Sequence, residues 1–233
     1  MKVENIKEYQ RETITDDKFK KLMVAFLLDE PFFASIVINL KKVKTYSIPT
    51  AGVTVKDHSL TLFWNPDFVG GLSQKKFFGL MKHECYHLIF QHVVSRKQDP
   101  HLLWNIATDL AINSLIDESY LPEGGLIPGK PLKSSDSSML DKESQDKASM
   151  LSQFIQSLPK FKSSEWYMSK LLENKDVQSA CESLFAGDDG SGSGCGFDVH
   201  IDSDGGMTES DKEVVAGKLK EIIKKSADRA QKN

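Results

Sequence analysis

Cysteine is scarce in this chain, and its copies lie far apart. Cys85, Cys181 and Cys195 are the only cysteines among 233 residues, and no C-x-x-C pair occurs. Disulfide-stapled secreted domains carry even, closely spaced sets of cysteines, whereas reducing compartments keep thiols free. The N-terminal residues 1–5 also do not begin a signal peptide. The scarcity therefore excludes a disulfide framework and predicts a cytoplasmic protein.

The chain also lacks an excess of charge of either sign and a long apolar run. Its 30 basic and 33 acidic residues give a net charge of −3, which is not typical of proteins that bind nucleic acid or membrane surfaces. The apolar residues 22–40 are interrupted by Asp29, Glu30 and Pro31, so they are too short to span a bilayer. We therefore expect neither a nucleic-acid partner nor a membrane partner.

Apolar residues recur with helical periodicity along most of the sequence, and a short segment in the first half alternates between apolar and polar residues. The patterns predict an α+β fold that is mainly helical, with a small sheet preceding the longest apolar helix. The strand just before that helix is placed to be an edge that pairs with an extended peptide. Predicted helices cover residues 16–28, 32–40, 74–98, 100–113, 163–173 and 209–225, a weaker amphipathic pattern covers 150–158, and predicted strands cover 52–55 and 59–64. Thr15, Ser73 and Asp99 are predicted as N-caps. Asn65-Pro66-Asp67 is predicted to be a turn that ends the second strand. Residues 41–49 are predicted to be a polar connection.

Composition divides the chain near residue 186. Residues 187–196 contain five glycines and little that could be buried. We expect a domain over residues 1–186, a flexible Gly-rich segment and turn over 187–206, and a C-terminal helix over 207–233 that packs on or extends the domain. Cys195, which lies in the flexible segment, is not expected to bind metal.

The longest apolar helix carries the motif His83-Glu84-Cys85-Tyr86-His87, which has the form H-E-x-x-H. Two histidines four residues apart lie on one helix face, so both imidazoles can bind one ion. Glu84 is then placed to act as a general base on a water at that ion. A chance pattern on a buried helix is the alternative. Cys85 is interpreted as core packing, with a regulatory thiol as the minor option.

A third metal ligand is predicted on the following helix. Asn105, Asp109 and Asn113 are spaced four apart, which gives one polar stripe on an otherwise apolar helix. A buried carboxylate costs several kcal/mol unless it is paired, hydrogen-bonded or bound to metal. We therefore predict His83, His87 and Asp109 as ligands of Zn²⁺, with water in the fourth position. Asn113 could hydrogen-bond to one of the ligands and so orient it. The alternative to a metal site is that the polar stripe is simply exposed to solvent.

His200 follows the Gly-rich segment and can therefore reach a site that is distant in sequence. Three roles are open: a surface histidine, a fourth zinc ligand, or a donor to the oxyanion of a tetrahedral intermediate. The last is favoured among the functional roles, because a catalytic zinc keeps one position for water. A ligand borne by a flexible loop would also lose more chain entropy on binding.

Four segments occur in order along the chain: Ile48-Pro49-Thr50-Ala51, Trp64-Asn65-Pro66, the H-E-x-x-H motif, and Trp104-Asn105-Ile106-Ala107-Thr108-Asp109 with Asn113. With these segments the sequence resembles the putative metallopeptidase domain family over about residues 19–226. Longer members carry a von Willebrand A-like domain after it, and short members occur in phages. The resemblance implies a zincin-like fold, zinc-dependent peptidase activity and a bacterial or phage-infected host cell. Asp198-Val199-His200 also resembles an Asp-x-His segment of the family.

The predicted function is hydrolysis of a peptide or protein substrate, with zinc as cofactor and Glu84 and His200 as catalytic residues. Two alternatives stay open: an inactive, zinc-stabilised binding module for peptides or proteins, and a structural protein in which H-E-x-x-H is only a buried helix. The resemblance also implies a MoxR-type AAA+ ATPase as a partner. No von Willebrand A-like domain follows in this sequence, so the work of such a domain is expected to be absent or to be supplied by a protein of that kind in trans.

Overall fold

The computed structural model describes residues 3–132, 141–185 and 208–231. His200, Cys195 and the predicted Gly-rich segment lie outside these ranges. Within them the chain is mainly helical with one small sheet, which confirms the predicted α+β class. The elements are α1 (Val3–Asp29), α2 (Pro31–Val37), β1 (Lys41–Lys44), β2 (Ala51–Lys56), β3 (Ser59–Trp64), α3 (Pro66–Gly71), α4 (Gln74–Ile89), α5 (His101–Asn113), α6 (Lys142–Ser157), α7 (Ser164–Leu172), α8 (Lys175–Phe185) and α9 (Glu209–Ala230).

The sheet has the strand order β1-β3-β2 among the described residues. β2 and β3 form an antiparallel hairpin, whose turn residues Asp57 and His58 have φ of 50° and 58°, as a two-residue turn with positive φ requires. β1 pairs in parallel with the other side of β3. The prediction that the strand before the H-E-x-x-H helix is an edge was therefore wrong. β3 is central, because residues 41–44, predicted as a connection, form a strand.

Several predicted helix boundaries also differ from the structure. α1 begins at Val3, so Thr15 lies inside the helix and does not cap it; no Gly or Pro interrupts residues 3–15, and the segment is rich in good helix formers. Asn65 was predicted to open a turn, but its side chain accepts hydrogen bonds from the first turn of α3. Pro100, and not Asp99, occupies the N-cap position of α5, and it makes no side-chain cap hydrogen bond. α8 had not been predicted.

Two hydrophobic clusters fill the described part of the chain, and α5 contributes to both. The first cluster joins the sheet to α1, α2, α4 and α9, and it includes Ile112 of α5. The second joins α5 to α6, α7 and α8, and it includes Leu103, Trp104 and Leu110 of α5. α5 packs against α4, so the two helices that carry the predicted metal ligands meet at the boundary between the clusters. None of the described helices has both the length and the apolar character needed to cross a bilayer.

Gly79 allows the backbone after α5 to approach α4 very closely. An ideal Cβ at Gly79 would lie 2.0 Å from the carbonyl oxygen of Tyr120 and 2.5 Å from its carbonyl carbon. Backbone atoms cannot move aside as a flexible side chain can. Gly79→Ala is therefore expected to lower the free energy of unfolding by about 1–3 kcal/mol, the usual cost of overpacking, as measured by urea denaturation.

Gly217 provides a matched control for this prediction, because it also lies inside a helix. A Cβ at Gly217 of α9 would have no atom within 4 Å apart from its chain neighbours and the backbone of its own helix. Gly217→Ala should therefore raise the free energy of unfolding by about 0.5–1 kcal/mol, the usual helical advantage of alanine over glycine. Equal gains in stability at both positions would contradict the close approach of Tyr120.

Candidate metal centre

The two motif histidines lie on one buried face of α4. The Ser73 side chain accepts a hydrogen bond from the Lys76 N–H and so caps the helix as predicted. His83 is 0% exposed and His87 is 1% exposed. Their Nε2 atoms are 2.9 Å apart, as expected for side chains one helical turn apart on one face. The helix therefore presents both imidazoles to the same point.

Asp109 of α5 completes a compact cluster with these two histidines. Its Oδ1 lies 3.3 Å from Nε2 of His87 and 3.6 Å from Nε2 of His83. Asp109 is 6% exposed, so its carboxylate is almost fully removed from water. One donor atom from each of the three residues lies within 4.8 Å of the others. The structure thus brings together the three residues that were predicted as metal ligands.

The spacing of these donor atoms fits a single small metal ion. Ligands about 2.0–2.1 Å from a tetrahedral ion are about 3.3–3.4 Å apart. The observed separations of 2.9, 3.3 and 3.6 Å bracket that value. Two neutral imidazoles and one carboxylate also form a donor set that binds divalent transition metals. The cluster can therefore hold a metal ion with little rearrangement of α4 and α5.

Glu84 and Cys85 lie between the two histidines on α4 and are both buried. The Sγ of Cys85 lies 3.7 Å from the carbonyl oxygen of Phe33 of α2. Burial raises the pKa of the Cys85 thiol well above its usual range, and the neighbouring Glu84 carboxylate adds to this effect. A thiol held neutral in the core is a poor nucleophile and a poor ligand. This supports the interpretation of Cys85 as core packing.

Asn113 holds His83 in one orientation, as the polar stripe on α5 suggested. The Nδ1 of His83 lies 2.8 Å from the Oδ1 of Asn113. The Nδ2 of Asn113 donates to the carbonyl oxygen of Leu126 at 2.9 Å, which fixes the amide with its oxygen toward the imidazole. His83 must then carry its proton on Nδ1, so its Nε2 presents a lone pair to the cluster. Asn105, the first residue of the stripe, is only half-buried.

His92 is a buried histidine at the site that the sequence analysis missed. The predicted helix continued to residue 98, which would have carried His92 away from the cluster. α4 instead ends at Ile89, and Gln91 has a φ of 60°. This reversal lets the N–H of His92 donate to the carbonyl oxygen of His87 at 2.9 Å. Glutamine has no marked preference for positive φ, so only the H-x-x-x-x-H spacing of His87 and His92 could have drawn attention to it.

Comparison with known proteins gives the family of this chain. The model of the family described as "Putative metallopeptidase domain" matches residues 16–230. The chain therefore belongs to this family, as the resemblance implied. An uncharacterised protein of Thermotoga maritima is 26% identical over 108 residues, which are 44% of this chain and 27% of that protein. The match spans only about a quarter of that relative. No solved structure matches the chain.

Proposed function

We propose that this protein is a zinc-dependent peptidase whose metal site is formed by His83, His87 and Asp109. The observation that carries the proposal is the buried cluster of these residues, with donor atoms 2.9–3.6 Å apart. Glu84 lies directly beside the first histidine, in a chain of the putative metallopeptidase domain family. Nitrogen and carboxylate donors in a tetrahedral arrangement are typical of catalytic zinc. Zinc is therefore the ion that we propose.

Zinc at this site would supply Lewis-acid chemistry, since it lowers the pKa of water and polarises a peptide carbonyl. The chain's own residues do the remaining work. Asn113 holds His83 with the Nε2 lone pair toward the cluster, so one ligand is oriented before metal arrives. Glu84 accepts the proton of the attacking water and passes it to the nitrogen of the leaving amine. Its burial removes competing bulk water from that transfer.

The proposed substrate is a peptide or protein, and it must bind without adding to β3. That strand already pairs with β1 on one side and β2 on the other, so an extended peptide cannot pair with its backbone. His200 is proposed as the donor to the oxyanion on the basis of sequence alone. A MoxR-type AAA+ ATPase, or a von Willebrand A-like protein in trans, is likewise proposed from the family resemblance.

Metal content is the first test of this function. Purified protein is expected to bind about one zinc per chain, because the cluster provides three protein ligands and leaves one position for water. The protein is dialysed against zinc and passed through gel filtration to remove free metal, and elemental analysis then gives the stoichiometry. His101→Gln, which removes an exposed histidine from the start of α5, should bind the same amount. Wild-type protein that takes up no zinc would contradict the proposed function.

A further inference from the structure

His92 contacts the face of His87 that points away from the metal cluster. The Nδ1 of His92 lies 3.3 Å from the Nδ1 of His87, whereas His83 and Asp109 are near the Nε2 of His87. His92 is therefore not placed as a fourth ligand. Its own Nε2 lies 3.3 Å from the Oγ of Ser164 on α7. One buried chain of contacts thus runs from the cluster through His87 and His92 to α7.

We propose that His92 is a positioning residue for the ligand His87, in a hydrogen-bond chain to Ser164 whose direction reverses when metal binds. The inference rests on the metal site of the proposed function, but it concerns residues for which neither the family nor the motif assigns a role. A residue that hydrogen-bonds to the second nitrogen of a ligand imidazole fixes the orientation and the tautomer of that ring, and its loss weakens metal binding.

The tautomers of the three histidines in this hydrogen-bond chain follow from the fixed orientation of Asn113. Because His83 carries its proton on Nδ1, its Nε2 can only accept a hydrogen bond. In metal-free protein with neutral rings, the proton of His87 is therefore on Nε2, which faces two acceptors: the Nε2 of His83 at 2.9 Å and the Oδ1 of Asp109 at 3.3 Å. The Nδ1 of His87 then accepts from the Nδ1–H of His92.

Metal binding requires the opposite arrangement. His87 must offer its Nε2 lone pair to the ion, so its proton moves to Nδ1 and donates to His92. The Nδ1 of His92 becomes the acceptor, and its proton moves to Nε2 and donates to Ser164. For neutral rings, each ring carries one proton before and after this rearrangement, so the protons change position and the charge stays the same. A serine hydroxyl can donate in one state and accept in the other, which suits it to the end of such a chain.

The His92–Ser164 end of this hydrogen-bond chain is buried and packed. His92 is 5% exposed and Ser164 is 3% exposed. The ring of His92 packs edge-on against Trp104 of α5, with centroids 5.8 Å apart. Arg96 pairs with Glu165, the neighbour of Ser164, and also donates to the carbonyl oxygen of Phe90 at 3.3 Å. This partly exposed ion pair joins the start of α7 to the turn that carries His92.

Imidazole ¹⁵N NMR of the whole protein tests the reversal directly. Spectra of ¹⁵N-labelled protein, without metal and with one equivalent of zinc, identify which nitrogen of His92 carries the proton. The expected result is protonation at Nδ1 without metal and at Nε2 with zinc. A His92 tautomer that is the same in both states would overturn the proposed reversal, even if zinc binds normally.

Zinc affinity tests the positioning role, by competition with a chromophoric chelator. His92→Phe keeps a buried ring but removes both hydrogen-bonding nitrogens, and the dissociation constant for zinc should rise by about 10–100-fold. His92→Gln can still accept from His87, so it should recover part of the loss. His101→Gln is the matched control and should leave the affinity unchanged.

The outcomes separate this inference from the proposed function. Wild-type protein that binds no zinc would overturn both the metal site and its positioning residue. Wild-type protein that binds zinc, with His92→Phe binding equally well, would overturn only the inference. A purely structural role for His92 would also be shown if His92→Phe and His92→Gln lowered the free energy of unfolding without changing zinc affinity.

Discussion

Glu84→Gln is expected to lower peptide hydrolysis by at least about 100-fold, the usual effect of losing a general base. Glutamine has nearly the shape of glutamate, but its amide cannot accept the proton of the attacking water. Glu84 is not one of the three clustered ligands, so the variant should retain zinc and stay folded. Turnover of a quenched fluorescent peptide library, with zinc content measured on the same samples, gives both quantities.

The control for Glu84→Gln is the same substitution at a surface position. Glu143→Gln on α6 changes a carboxylate whose side chain is 78% exposed and should leave hydrolysis unaltered. Equal turnover by wild-type protein and Glu84→Gln would show that Glu84 is not the base. Zinc bound by both proteins with no hydrolysis by either would favour the alternative of a zinc-stabilised binding module.

The local part of the site could be predicted from the sequence because its geometry depends on one helix. Ser73 marks the start of α4, and two histidines four residues apart lie on one face whatever the helix packs against. Asp109 could be predicted because an acidic residue among apolar neighbours needs a partner. Asn113 could be predicted from the same four-residue spacing along α5. Each of these inferences uses periodicity within a single element.

The parts that were missed depend on contacts between distant segments. β1 forms because residues 41–44 pair with β3 about twenty positions later, and its own sequence of three lysines and one valine gives little strand signal. His92 reaches the site because α4 stops at Ile89 and Gln91 takes a left-handed conformation. That reversal puts the ring of His92 against Trp104, a contact between two elements that no periodicity encodes.

The identity of the third ligand is decided by comparing Asp109→Ala with His200→Ala. Asp109→Ala removes one of the three clustered donors. Loss of a residue that only positions a ligand lowers zinc affinity by about 10–100-fold, and the loss for Asp109→Ala should be larger. His200→Ala is expected to retain zinc and lose hydrolysis, since a donor to the oxyanion acts only during the reaction. Competition with a chelator and peptide turnover, measured on both variants, give the comparison.

Asn105→Ala is the matched control, because it removes a half-buried polar side chain one turn before Asp109 on α5. It should bind zinc as the wild type does, which would show that a polar deletion on this helix is not enough to empty the site. If His200→Ala released zinc and Asp109→Ala did not, the ligands would be three histidines. The buried Asp109 carboxylate, 3.3 Å from His87, would then act by holding that imidazole rather than by binding the ion.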